Sequence, residues 1–163
     1  RLSTLIRDVL EICEPEALRS QVQVTSELPN TEDDRVLVDS IQIQQVLVNL
    51  IQNALQAMAV IPGAQRRLHI SCTHGNDHWS LHVEDSGPGL TRELEDSLFQ
   101  PFVTTKSEGL GMGLAISQSI MHAHGGSLTA ANTPQGARLT MNLPVLGAHE
   151  YDVRTDDHCL CGR

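Results

Sequence analysis

Residues 40–59 read SIQIQQVLVNLIQNALQAMA and carry the strongest helical periodicity in the chain. Apolar residues recur every three or four positions, which is the spacing of one buried helix face. Ser40 is a candidate N-cap and Pro62-Gly63 is a clear stop, so the pattern predicts one long amphipathic helix between them. A helix with such a face needs a sheet or other helices to cover it, and the rest of the fold follows from that need.

A stripe of amide side chains runs along this helix at Gln45, Asn49, Asn53 and Gln56. The four residues are spaced at i, i+4, i+8 and i+11, so they share one face. A polar stripe is often only the solvent face of a helix, and spacing alone does not exclude that interpretation. A solvent face usually carries charges, however, and this helix has none. The alternative is a ligand site, because amide oxygens bind a hard cation such as Mg²⁺.

The remaining sequence predicts strands and further helices around this element. Strands are predicted at 21–25, 36–38, 68–72, 79–83, 127–131 and 138–143, and helices at 2–13, 91–98 and 113–124, the first with room to continue past Pro15. The layout predicts the α+β class: a two-layer α/β sandwich with a mixed sheet of about five strands covered by three helices. One domain should span residues 1–144, and the unpatterned residues 145–163 are predicted to form a flexible C-terminal tail.

The composition restricts the function of the chain. A net charge of −9 over 163 residues disfavours nucleic acid as a partner, because binding to a phosphate backbone needs clustered Lys and Arg. The four cysteines, at 13, 72, 159 and 161, form no disulfide framework, which favours a reducing cytoplasm. No apolar run approaches the roughly 20 residues needed to span a bilayer. Whether a longer parent protein is anchored in a membrane is left open.

Two glycine-rich segments are candidates for ligand binding. Asp85-Ser86-Gly87-Pro88-Gly89 follows a predicted strand, and its carboxylate could accept a hydrogen bond from an amine, although such a turn alone is commonly just a turn. Residues 109–114, GLGMGL, open a predicted helix. Glycines before a helix N-terminus expose N–H groups that bind phosphate. The segment lacks the following Lys-Ser/Thr of a Walker motif and does not follow a strand as a dinucleotide-binding motif does.

The order of these elements resembles the N, G1, F and G2 boxes of the histidine-kinase ATPase family, with Phe99-Gln100-Pro101-Phe102 as the F box. The resemblance covers about residues 1–144 and implies a Bergerat α/β sandwich with a lid between the F and G2 boxes. It implies the ATP-binding domain of a sensor histidine kinase. Within the family, residues 45–50 and 101–106 look most like the PAS-containing nitrogen-regulation and oxygen-sensing kinases.

The resemblance also assigns roles to residues. Asn49 and Asn53 would hold Mg²⁺ and the triphosphate of ATP, and Asn49 and Lys106 would be the catalytic residues. Asp85 would bind the adenine amine, while Gly87 and Gly89 would let the backbone pass beside the base. The implied lid and phosphate-loop residues are Thr104, Thr105, Lys106, Gly109, Leu110, Gly111, Met112, Gly113 and Leu114. The alternative interpretation of Lys106 is an exposed loop lysine.

Departures from the family pattern bear on the reaction. Gln45 stands where gyrase-type relatives hold a glutamate that activates water, and an amide cannot accept a proton. Gln56 stands where some kinases place a phosphate-binding lysine. Efficient ATP hydrolysis is therefore not expected, although a gyrase-, chaperone- or mismatch-repair-type ATPase and a non-catalytic nucleotide-binding module are the alternatives. The segment 136–140 matches the final family motif only loosely, so no site is assigned there.

A phosphoacceptor histidine is expected outside this chain. His149-Glu150 resembles the acceptor dipeptide but lies in the unpatterned tail. The acceptor and dimerisation helices are therefore expected upstream of Arg1, with a response-regulator receiver domain as the next partner. On this interpretation the chain alone is monomeric and does not autophosphorylate, while the full-length protein is a homodimer. The eight histidines are interpreted as surface residues rather than a metal site, with zinc capture by His158, Cys159 and Cys161 as the alternative.

Overall fold

The computed structural model describes residues 1–29, 34–100 and 112–145. The helices and strands follow one another along these residues as α1 (Leu2–Arg19), β1 (Gln23–Glu27), α2 (Ser40–Ala57), β2 (Arg67–His74), β3 (His78–Asp85), α3 (Arg92–Ser97), α4 (Gly113–Ala123), β4 (Ser127–Asn132) and β5 (Ala137–Pro144), with 3₁₀ turns at Met58–Val60 and Gly63–Gln65. The strands form one mixed sheet in the order β1-β2-β3-β5-β4. Only the β1–β2 pair is parallel among them.

The core lies between one face of the sheet and the helices α1, α2 and α4. Every second residue of the central strands points into it, and these side chains pack against the apolar stripes of the three helices. Its fully buried side chains include Leu2, Ile6, Ile43, Leu47, Leu50, Ile51, Met58, Leu68, Ile70, Leu81, Met121 and Met141. The predicted two-layer sandwich of five strands and three covering helices is confirmed, and α3 is a short addition to it.

The other face of the sheet is polar and is held together by hydrogen bonds between neighbouring strands. His82 on β3 bonds Thr73 on β2 at 3.1 Å and Thr140 on β5 at 3.0 Å. Arg138 on β5 forms an ion pair with Glu84 on β3 at 2.7 Å. Cross-strand polar pairs of this kind stabilise a solvated sheet face without requiring a second covering layer.

The ends of several elements differ from their predicted positions. The N-cap of α2 is Asp39 rather than Ser40, because the Asp39 carboxylate accepts from the N–H groups of Ile41 at 2.9 Å and Gln42 at 3.1 Å. The predicted strand at 36–38 is wrong: it makes only an isolated bridge from Val36 to Val145. The predicted tail lies outside the described residues from 146 onward. No helix in the described part of the chain is long and apolar enough to cross a membrane.

The first turn of α1 is held by Asp34, a distant and fully buried carboxylate. It accepts from the Ser3 N–H at 2.8 Å and pairs with Arg1 Nε at 2.8 Å. Burial would raise the pKa of this carboxyl, but the hydrogen bonds from Ser3 and Arg1 outweigh it and lower the pKa from 3.8 to about 2. Because the folded-state pKa is lowered, Asp34 stabilises the fold at neutral pH, and this contribution is lost as the pH falls through that interval.

The C-terminal end of α1 is tied to the turns after α2 by the Arg66 guanidinium. It donates to the carbonyl oxygens of Ser20 at 2.7 Å, Ile61 at 2.9 Å and Ala59 at 3.0 Å. Carbonyls at the end of a helix carry partial negative charge and have no partner inside the helix, so a forked cation satisfies several of them at once.

Replacing Arg66 by alanine should therefore lower the free energy of unfolding by about 2 kcal/mol, because three carbonyls lose a charged donor. Urea unfolding followed by the fluorescence of Trp79, the single tryptophan, measures this. Arg67→Ala is the matched control, since the Arg67 side chain is exposed and makes no hydrogen bond to the described residues. Equal midpoints for the two variants would contradict the role given to Arg66.

Candidate functional site

A buried carboxylate lies where β3 ends. Asp85 is 4% exposed, and its Oδ1 accepts from the Gly87 N–H at 2.8 Å. Burial raises the pKa of Asp85 above its usual value, while the N–H groups of Gly87 and Ala137 act in the opposite direction. The carboxylate is thus positioned by the backbone and keeps oxygen lone pairs available to accept from a ligand N–H.

The turn after Asp85 packs closely against the start of β2 and the end of α2. Ser86 Oγ accepts from the Arg67 N–H and donates to the Gln65 carbonyl, both at 2.8 Å, which fixes the turn to the start of β2. A Cβ on Gly87 would lie 2.8 Å from Asp85 Oδ1 and 3.4 Å from the backbone of Ala57. Gly89 has φ +78°, a conformation that favours glycine. The turn therefore packs against the C-terminal end of α2.

The middle of the amide stripe is half-buried beneath α4. Asn49 Nδ2 donates to Ser117 Oγ at 3.0 Å, and Asn53 Nδ2 donates to Asn49 Oδ1 at 3.5 Å. The two ends of the stripe, Gln45 and Gln56, are exposed. The stripe is therefore not a uniform solvent face: its central asparagines hold defined orientations between two helices.

The N-terminus of α4 rests directly on Asn49. A Cβ on Gly113 would lie 2.6 Å from Asn49 Oδ1, so glycine at the first position of α4 is what permits the contact. The N–H groups of a first helical turn have no acceptor inside the helix and face outward as anion donors. Met112 and Leu114, on either side of Gly113, are half-buried, and Leu114 packs against the core.

A cleft of about 330 Å³ runs between α2 and α4 beside these residues. It is lined by Gln45, Val48, Asn49, Gln52, Gly113, Ile116, Ser117 and Ile120. The sequence interpretation did not include Ser117, which is 3% exposed. A serine four residues after Gly113, and so on the same face of α4, is the signal that could have identified it.

The structure brings part of the predicted site together. The Asp85 turn contacts α2 at Ala57, and Gly113 contacts the same helix at Asn49, so one helix joins both halves. A carboxylate for an amine and amides beside a helix N-terminus suit a ligand with a base at one end and anionic groups at the other. Six predicted residues lie outside the described ranges and stay predictions: Thr104, Thr105, Lys106, Gly109, Leu110 and Gly111.

Comparison with known proteins gives a family match over most of the chain. The model of the family described as "Histidine kinase-, DNA gyrase B-, and HSP90-like ATPase" matches residues 38–147. The matched stretch contains α2, the Asp85 turn and α4, so it includes each element of the site described above.

Curated relatives are longer proteins. The C4-dicarboxylate transport sensor protein DctS of Rhodobacter capsulatus is 38% identical over 149 residues, which are 88% of this chain. The sensor protein FixL of Bradyrhizobium diazoefficiens is 46% identical over 114 residues, 69% of this chain. The chain spans 22% of the length of each relative.

Solved structures share the fold. The nucleotide-free catalytic domain of histidine kinase ThkA superposes with a TM-score of 0.78 at 33% identity, covering 88% of this chain and 92% of that domain. Histidine kinase ThkA in complex with the response regulator protein TrrA gives a TM-score of 0.75 at 31% identity, covering 90% of this chain and 41% of the kinase chain.

Proposed function

The chain belongs to the family of histidine kinase-, DNA gyrase B- and HSP90-like ATPases, and on this premise we propose that it is the ATP-binding catalytic domain of a sensor histidine kinase. In that role it binds Mg-ATP and donates the γ-phosphoryl group to a histidine on a separate dimerisation and phosphoacceptor domain. The observation that carries the proposal is the arrangement on α2, where the buried Asp85 turn lies at one end and the Asn49–Gly113 contact lies further along.

The adenine end of ATP is assigned to Asp85. Its carboxylate can accept a hydrogen bond from the exocyclic amine of adenine, and a base without that amine would leave the remaining lone pairs of a buried carboxylate without a donor. The Gly87 N–H at 2.8 Å holds the carboxylate in place, so no side-chain rearrangement is needed before the base binds. Asp85 therefore supplies both affinity and base selectivity.

The phosphate end is assigned to Asn49, Asn53 and the first turn of α4. Amide oxygens are ligands that Mg²⁺ accepts, and the two asparagines are half-buried on one helix face, so this donor set fits the ion. When bound with ATP, Mg²⁺ would neutralise charge on the phosphates. Ser117 fixes the Asn49 amide so that its oxygen faces the N-terminus of α4.

The reaction favoured by the site is transfer to another domain rather than hydrolysis. Phosphoryl transfer depends mainly on positioning and charge stabilisation, and these are what Asp85, Asn49 and Asn53 provide. The residue one turn before Asn49 is the exposed Gln45, which cannot take a proton from water. The nucleophile must therefore come with its own basic nitrogen, as an imidazole does.

The test of the proposal is incubation of the full-length protein with γ-labelled ATP and Mg²⁺. Phosphohistidine is expected, recognised as protein-bound label that is stable in alkali and lost in acid. The isolated chain should bind ATP, remain unlabelled, and release little free phosphate. Label that survives acid, or rapid phosphate release by the chain alone, would contradict the proposal.

A second test uses Lys106, the single lysine of the sequence. If Lys106 reaches the bound phosphates, saturating Mg-ATP should slow its modification by an amine-reactive reagent about tenfold, because the amine is then ion-paired and shielded. Peptide mass spectrometry measures the rate, and the Lys106→Arg chain shows which signal belongs to this side chain. An unchanged rate under saturating nucleotide would assign Lys106 to the surface instead.

Partners and location are proposed from the same assignment. The next acceptor is the receiver domain of a response regulator, and the full-length protein is a homodimer through its own helices, whereas this chain is monomeric. The complex of histidine kinase ThkA with a response regulator supports such a partner. A cytoplasmic location is supported by the free thiols of Cys13 and Cys72 among the described residues.

A further inference from the structure

Asn132, the last residue of β4, holds the backbone of Leu90 from both sides. Its Oδ1 accepts from the Leu90 N–H at 2.7 Å, and its Nδ2 donates to the Leu90 carbonyl at 2.9 Å. A side-chain amide that makes both bonds to one residue imitates the pairing of a neighbouring β-strand. Leu90 lies outside any strand, so Asn132 supplies the ordered partner that this backbone would otherwise lack.

The contact lies at the end of the Asp85 turn, residues 85–89, to which the base of the nucleotide is assigned. Leu90 directly follows Gly89, whose φ is +78°, and a Cβ on Gly89 would lie 2.6 Å from Asn132 Oδ1. The beginning of the turn is fixed separately, where Ser86 bonds the backbone of Arg67 and Gln65. The turn that carries Asp85 is thus anchored at its start by Ser86 and at its end by Asn132.

The hairpin that carries Asn132 has its own connections. The Thr133 N–H donates to the Gly136 carbonyl at 2.8 Å, and the Gly136 N–H donates to Thr133 Oγ1 at 3.1 Å. Strand β4 is paired with β5 up to Asn132↔Ala137. Shortening the exposed Asn132 side chain should therefore leave the hairpin formed and release the Leu90 end of the turn.

We propose that Asn132 is a positioning residue for base recognition, acting through Leu90 and Gly89 on the turn that presents Asp85. The inference rests on the proposed function, because it takes Asp85 as the group that binds the amine of adenine. Without Asn132 the turn samples more conformations, and the carboxylate meets the amine less often. The bonds from Asn132 to Leu90 lead to the base end of the site, and the phosphate-binding groups on α2 and α4 lie at the other end, so we expect their contribution to affinity to stay the same.

The experiment compares two nucleotides that differ by one amine. Dissociation constants are measured for Mg-ATP and for the Mg-triphosphate of purine riboside, which lacks the exocyclic amine. Asn132→Ala should weaken ATP binding about fivefold and leave binding of the analogue within twofold, so the preference for ATP falls about fivefold. Asn132→Asp, which keeps the acceptor for the Leu90 N–H, should give an intermediate loss. Thr129→Ala, exposed on the same strand, is the control and should change neither constant.

Different results would contradict the role of Asn132 and the assignment of Asp85. An equal loss of affinity for both nucleotides would make Asn132 a structural residue only, and unchanged affinity for both would remove it from the site. Either result overturns the inference. If the wild-type chain binds Mg-ATP no better than the analogue, or does not bind it, the assignment of Asp85 itself fails. Thermal unfolding without nucleotide, expected to be nearly equal for all variants, shows that the measured chains are folded.

Discussion

Asp85→Asn should reduce the affinity for Mg-ATP by about 100-fold while leaving the unliganded fold at least as stable as the wild type. Both effects have the same origin. Asp85 is almost fully buried, and burial disfavours its charge, as the raised pKa shows. The isosteric amide removes that charge but turns a donor toward the adenine amine, which is also a donor. The substitution therefore separates binding from stability.

Titration calorimetry with a nonhydrolysable ATP analogue measures the first effect, and thermal unfolding followed by Trp79 fluorescence measures the second. Asp8→Asn is the matched control, because Asp8 is exposed on α1. The Asp8→Asn variant should bind the ATP analogue with the affinity of the wild type. Undiminished ATP binding in Asp85→Asn would remove Asp85 from the site, and a large drop in stability would show that the carboxylate is structural.

The pH dependence of stability and of ATP affinity tests the role of Asp85 independently. A buried acid with a raised pKa binds protons more tightly in the folded state, so the cost of burying its charge applies above the raised pKa and shrinks as the pH falls through it. The stability gained by Asp85→Asn should therefore shrink on acidification. Wild-type ATP affinity should also begin to fall at a higher pH than an ordinary aspartate would give.

Gly136→Ala should cost about 3 kcal/mol of stability and at least tenfold in ATP affinity. A Cβ at this position would lie 2.2 Å from the Asp85 carbonyl oxygen and 2.9 Å from the Gly87 nitrogen. Both are backbone atoms, so no rotamer change relieves the overlap. The hairpin between β4 and β5 would have to move away from the turn, and the N–H of Ala137, which faces the Asp85 carboxylate, would move with it.

Gly63→Ala is the matched control for this substitution. Its Cβ would also meet an atom closely, at 2.7 Å, but that atom is Oε1 at the end of the Gln21 side chain, which can rotate away. Urea unfolding and ATP titration of the two variants should therefore differ widely. Similar stability for both would show that the β4–β5 hairpin can shift at little cost, contrary to the packing described.

Helical and strand periodicity identified the layers of this fold because each depends on neighbours within one element. The stripe containing Asn49 and the glycines at 87, 89 and 113 were visible for the same reason. The contributions of Asn132 and Gly136 were not visible in the sequence, because each depends on a contact with a segment more than 40 residues away. Nothing in the local pattern around either residue distinguishes it from an ordinary turn residue.

The local sequence also does not decide where each helix or strand begins and ends. Asp39 and Ser40 are both good capping residues, and the extended backbone of Asp39, with φ −72° and ψ 109°, together with its side-chain bonds, decides between them. Residues 36–38 are a short apolar run of the kind found in strands, but among the described residues Val36 forms one bridge to Val145 and does not join a neighbouring strand. Val36 and Val38 pack against the core without a place in the sheet, whereas Leu37 is exposed.

The parallel pairing of β1 with β2 has a consequence for how the domain folds and opens. The pair joins residues more than 40 positions apart, from Gln23↔Arg67 to Glu27↔Ser71, whereas β2 and β3 meet through a short turn. All five residues of β1 are exposed at the sheet edge. Loop closure makes such a pair slow to form, and little buried surface holds it. Amide hydrogens of β1 should therefore exchange through local opening, while those of β3, at the centre of the sheet, should exchange only when the whole domain unfolds.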